Sequence, residues 1–103
     1  MAQSSAGQYT RTWQSCPISA TTTLGAAGAI GDFLESVVIV VGTAATALVQ
    51  IKDGSGTATD ILPNSPGGGV GTYIIPLNLT SKLGAWQIIT LAGSKCIAIG
   101  SFT

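Results

Sequence analysis

Histidine is absent from this chain and charge nearly so. One arginine (Arg11), three lysines (Lys52, Lys82, Lys95) and four carboxylates (Asp32, Glu35, Asp53, Asp60) make up 8% of 103 residues and sum to a formal net charge of zero. A typical domain is about a quarter charged, so the groups that move protons, hold metals and attract phosphates are scarce. Without histidine, a serine or cysteine nucleophile lacks its usual base. Two cysteines with no histidine leave a zinc ion two ligands short. Four scattered cations make no footprint for nucleic acid. The longest uncharged stretch near the apolar maximum, Ser36 to Ile51, is broken by Gly42, Thr43 and Thr46 and falls short of the ~20 residues of a spanning helix. Met1 to Ser5 shows neither the positive region nor the apolar run of a secretion signal, so synthesis in a cytoplasm is expected. The expected class is therefore a non-enzymatic structural or binding protein that needs no cofactor and engages neither membrane nor nucleic acid.

What is present is apolar and β-branched. The 25 Ile, Leu and Val residues, with two each of Trp, Phe and Tyr, can fill one modest core and exclude an intrinsically disordered chain. Thr, Ser, Asn, Gln, Gly and Ala must then cover the outside, and a neutral surface of that kind sets up little repulsion between molecules. Such a chain tends to associate, which favours a subunit of a larger assembly over a lone monomer. Glu and Arg occur once each, so strong helix formers are thin and the pattern predicts an all-β protein.

Along the chain, residues 1–20 read as a polar arm with one candidate strand, Tyr9 to Gln14, and residues 21–103 as the folded domain. Ile18 to Leu24 is a threonine-rich strand candidate. The glycines at 25, 28 and 31 that follow lack the spacing of a dinucleotide loop and read as a connection. Phe33 to Val41 is the strongest strand signal. Both its faces are apolar from Val37 to Val41, which places it centrally in the fold or beneath a neighbouring subunit. Ala47 to Asp53 alternates as a half-buried strand, Asp53-Gly54 signals a hairpin, and Thr57 to Leu62 returns. Pro63 to Gly69 is a loop whose composition permits mobility. Tyr73 to Pro76, Ala85 to Leu91 and Lys95 to Phe102 complete a set that predicts a single-domain antiparallel β-sandwich, jelly-roll-like.

Candidate binding positions follow from this layout. Tyr9, Arg11 and Trp13 share a strand face suited to a sugar or a neighbouring subunit. Val38 and Val40 belong to the surplus apolar face of the central strand. Pro66, Gly67 and Gly68 form a candidate contact loop, and Trp86, on the same face as Ile88, is a core or interface anchor. Asp53 and Asp60 flank the hairpin and read as turn-forming, solvating carboxylates rather than a glycosidase pair. Cys16 and Cys96 read as reduced, buried thiols, although the two would meet if the first and last strands were neighbours.

The segment from Gly42 to Gln87, with its stretches Gly42 to Gly54, Pro63 to Gly71 and Gly84 to Gln87, resembles the small structural proteins of tailed bacteriophages, often head decoration or cement proteins. The resemblance implies a β-sandwich that clusters as a homo-oligomer, commonly a trimer, on the major capsid protein, and hence a virion location after synthesis in the host cytoplasm. It carries over no catalytic residues. An extended N-terminal arm would lie across neighbouring subunits. The competing expectation is a carbohydrate- or receptor-binding module of a tail fibre or lectin type, with a glycan as ligand.

Overall fold

The computed structural model describes residues 11–26 and 29–103, which form eight strands: β1 (Thr12–Cys16), β2 (Thr21–Thr23), β3 (Phe33–Val41), β4 (Val49–Asp53), β5 (Thr59–Leu62), β6 (Gly71–Thr80), β7 (Trp86–Thr90) and β8 (Ser94–Ser101). They pair antiparallel as β1 with β8, β2 with β7, β3 with β6 and β4 with β5. That is the pattern of one long hairpin, folded at the β4–β5 turn and rolled up. Two further antiparallel pairings, β3 with β8 and β4 with β7, stitch the roll into two sheets ordered β1-β8-β3-β6 and β2-β7-β4-β5. The first is called sheet A below and the second sheet B. This double-sheet arrangement is a jelly roll.

The core lies between the sheets. Val37, Ile39, Val41, Cys16, Cys96 and Ala98 from sheet A meet Val49, Ile51, Leu62, Trp86 and Ile88 from sheet B. Each set recurs at every second residue of its strand, the period that keeps side chains on one face of a pleated sheet. Gln14 closes the open side between the edge strands: its amide NH2 donates to the Thr23 carbonyl at 2.8 Å, and its carbonyl oxygen accepts from the Gly25 amide at 2.8 Å. Asp32 closes one end. Its buried carboxylate accepts from the Ala29 amide and from both the amide and the hydroxyl of Thr103, while its main-chain carbonyl accepts from Trp86 Nε1 at 3.0 Å.

Several expectations shift. The arm boundary at residue 20 does not separate β1 from the domain, because residues 12–16 form an edge of sheet A through five register pairs with β8. Of the strand expected over Tyr9 to Gln14, residues 12–14 are strand and Arg11 precedes it; Tyr9 and Thr10 lie outside the described residues. Of Ile18 to Leu24, Thr21–Thr23 is strand, flanked by backbone hydrogen bonds from Leu24 N–H to the Trp86 carbonyl and from Thr90 N–H to the Ala20 carbonyl. The third strand has the expected limits and is central, between β8 and β6. The run expected to stop at Pro76 continues to Thr80. Since β6 is an edge strand, a residue without an N–H is tolerated there. The loop at 63–70 has no regular structure but is tied down: Ser65 N–H donates to the Ala44 carbonyl, Asn64 Oδ1 accepts from the Leu48 amide, and the Tyr73 hydroxyl donates to the Gly69 carbonyl.

Candidate binding face

The outer surfaces of the two sheets differ in chemistry. Sheet B shows solvent Thr21, Thr23, Gln87, Ile89, Gln50, Lys52 and Asp60, in register across β2, β7, β4 and β5. The Gln50 amide donates to Asp60 Oδ1 at 2.7 Å there. On sheet A the register builds apolar rows instead. Trp13, Ile99, Ser36 and Pro76 stand side by side in one, and Ile97, Val38 and Ile74 in the next with Ser15 at the β1 end. A third row runs Lys95, Val40, Thr72. Trp13 is 67% and Ile74 68% exposed, while Val40 and Ile97 are each more than a third exposed.

Strand β8 shows how unusual this face is. Its inward residues are Ser94, Cys96, Ala98 and Gly100, all small, whereas Ile97 and Ile99 point out. The inside is small because the space is small: a Cβ on Gly100 would run into the Phe33 carbonyl oxygen and meet the Phe102 ring at 3.1 Å. On β1 the same inversion sets polar Gln14 inside and Trp13 outside. Where an antiparallel sheet faces water, the outer positions are ordinarily polar. Contiguous apolar surface with charge confined to its margins marks an interaction site.

Charge does lie at the margins. At one end Arg11 Nε meets Glu35 Oε1 at 2.6 Å, and the guanidinium lies 6.0 Å from the Phe33 ring centroid. The other end carries Lys95. Because the Arg11 and Glu35 side chains are 44% and 36% exposed, this ion pair adds little stability and acts mainly to orient Arg11 at the rim. Beside Trp13, a shallow hollow of about 340 Å³ is lined by Arg11, Thr12, Trp13, Val38, Ile97 and Ile99. A neighbouring hollow of about 230 Å³, lined in part by Pro17, Val40 and Lys95, shares Ile97 with it.

Arg11, Trp13, Val38 and Val40 thus come together on one face. Pro66 is buried and does not join them, and the loop with Gly67 and Gly68 leads into Gly71 at the Val40 end of the sheet, opposite Arg11. Trp86 is no surface anchor. It is buried between the sheets, and its ring N–H is satisfied by Asp32. Asp53 spends its carboxylate on the amides of Lys82 and Leu83. Ile74, Pro76, Ile97 and Ile99 escaped the sequence reading. The alternation of small and large residues in β8 carried the signal, but which set faces out is decided by packing.

Cys16 and Cys96 are free, buried and directly opposite in register. Burial, partly offset by hydrogen bonds with Thr22 and the Ala98 backbone, pushes the Cys16 thiol up to about 11; burial and then the charge of Cys16 push Cys96 up to about 12. Neither is a ready nucleophile.

Comparison with protein-family models, with curated proteins and with solved structures finds no match to this chain.

Proposed function

We propose that this protein is a non-enzymatic structural subunit of a virion, which self-associates and decorates or cements a bacteriophage capsid on its major capsid protein. The observation that carries the reading is the apolar outer face of sheet A, from Trp13 across Ile99, Ile97 and Val38 to Ile74. Water is a poor neighbour for it. Trp13 alone leaves about 150 Å² in solvent, worth about 4 kcal/mol on full burial at ~25 cal/mol per Å²; Ile97 and Val38, already more than half buried, gain less. Four strands ~4.8 Å apart, of five, eight, nine and ten residues, outline roughly 500 Å². Rim residues bring that toward the ~800 Å² per partner of a standard interface.

Charge supports the same reading. With no net charge and few ionisable groups, neither copies of the chain nor a shell surface would repel it strongly. The jelly roll is an architecture shared by capsid proteins and lectins. Binding restricted to the assembled lattice would lower that state's free energy by mass action, once per site. A trimer is the state proposed here. The test is co-purification with intact particles followed by osmotic or thermal challenge: particles lacking the protein rupture earlier. A protein that stays monomeric at high concentration and fails to bind particles defeats the reading.

The hollow beside Trp13 favours a second reading, a glycan- or receptor-binding module, since an exposed indole beside the Arg11 guanidinium can stack a sugar ring while the guanidinium donates to its hydroxyls; the Thr12 hydroxyl is committed to the Gly100 carbonyl. The remaining lining is aliphatic and satisfies no hydroxyl, which weighs toward a protein partner. Glycan-array binding lost on Trp13→Ala would reverse that order.

A further inference from the structure

Cys16 and Cys96 are Cα partners on neighbouring antiparallel strands, and their side chains both enter the core. Directly opposed residues in such a pair have Cα atoms about 4.5–5.5 Å apart. That interval falls inside the ~4.4–6.8 Å range spanned by disulfides, and register partners project to the same side of the sheet, as a bridge requires. We propose that this pair is a modification site: in the presence of a peroxide or a disulfide oxidant it closes into an intramolecular cross-strand disulfide that staples β1 to β8.

Topology gives the bond its purpose. Within sheet A, β1 is an edge strand that pairs with β8 alone, through five residue pairs. It carries Trp13, three residues before Cys16. Fraying of β1 would therefore dismantle one side of the apolar face, and the staple prevents it. The enclosed loop, residues 16–96, takes in most of the chain, the case in which a cross-link restricts the unfolded ensemble most. The bond follows from the register alone and does not depend on the virion reading.

With hydrogen peroxide the chemistry balances in two steps. One thiol, as its thiolate, attacks the peroxide, becomes a sulfenic acid and releases water. The second thiol attacks that sulfur, the S–S bond forms, and a second water leaves; overall two thiols lose two hydrogens and the peroxide is reduced to two waters. Cys16 is the better first reactant, being on the edge strand and having the less strongly raised pKa. Burial makes the reaction slow and dependent on transient opening of β1.

The test uses the intact chain. Folded protein is exposed to hydrogen peroxide, quenched with catalase, denatured and alkylated with iodoacetamide, then weighed whole and after trypsin. The expected product has monomer mass less two hydrogens, takes up no alkyl groups, and regains two reactive thiols in dithiothreitol. Trypsin releases peptide 12–52 joined to peptide 96–103, and the urea midpoint rises above that of the reduced chain. Two alkylatable thiols surviving a dose that oxidises the urea-unfolded chain would overturn the proposal, as would bridges found only between molecules. An unchanged midpoint would overturn the staple. Cys16→Ser and Cys96→Ala, prepared separately, each abolish the rise if it comes from this bond; a rise that persists in either variant counts against it.

Discussion

Trp13 and Ile99 face each other across β1 and β8 on the outside of sheet A, while one step along the same register Gln14 and Ala98 face each other on the inside. The larger apolar pair is in solvent and the smaller, partly polar pair is in the sandwich. Ordinary burial would have them reversed.

Trp13→Ser and Ile97→Lys should therefore leave the fold nearly untouched and weaken the proposed self-association. Exposed substitutions usually move stability within about 0.5 kcal/mol. The expected result is an unchanged melting curve with the sedimentation profile shifted toward monomer, more in the double variant than in either single one. A fall in melting temperature without a change in mass would assign these residues to the fold.

Substitutions inside the sandwich should behave oppositely. Ile88 is fully buried in β7, so Ile88→Ala should cost about 2–5 kcal/mol. Trp86→Phe keeps most of the volume but leaves the Asp32 carbonyl without the indole donor, at about 1–3 kcal/mol. Urea unfolding measures both.

Asp32 is a structural acceptor. Asp32→Asn sets an NH2 group among three donors, the Ala29 amide and the amide and hydroxyl of Thr103. A loss of about 1–3 kcal/mol is expected, with hydrogen exchange at Ala29 and Thr103 accelerating before that of the central strand.

The thiols make the reduced protein sensitive to alkali. Burial raises Cys16 to about 11 and Cys96 to about 12, from an ordinary value of 9.0. The folded state then holds protons that the unfolded state releases above pH 9. Stability should be full below pH 9 and fall as pH rises toward 11–12, by about 2 kcal/mol per thiol at pH 10.5. Urea midpoints measured from pH 8 to 10.5 under reductant check this; Cys16→Ala with Cys96→Ala should flatten the curve.

Gly54 marks the tip of the β4–β5 hairpin with φ of +53°, and a Cβ there would lie 2.6 Å from the Gly84 amide nitrogen and the Leu83 carbonyl carbon. Gly54→Ala should destabilise by more than ~1 kcal/mol, because backbone rather than a movable side chain blocks it. Thermal unfolding reads the loss.

Much of the architecture was legible because period-2 patterns survive in single strands: β3 shows its limits directly, and Val49 and Ile51 in β4 point to the core as expected. The outer face was half legible. Val38 and Val40 revealed it through the excess of apolar residues in β3. Ile97 and Ile99 did not, because hydrophobic pattern alone would bury them in place of Cys96 and Ala98, whereas the crowding around Gly100 favours the opposite choice. Trp86 had two readings until the Asp32 carbonyl supplied its partner. The short β2 is three residues long rather than the seven the threonine-rich run suggests, because threonine suits strands generally and nothing local says where regular strand geometry ends.

Because β8 is inserted between β1 and β3, sheet A stays a split template throughout translation until residues 94–101 leave the ribosome. Until then β1 has no neighbour in its sheet, and β3 offers an open, strongly apolar edge to any other nascent chain. Slow closure of such distant pairings exposes a polypeptide to misassembly.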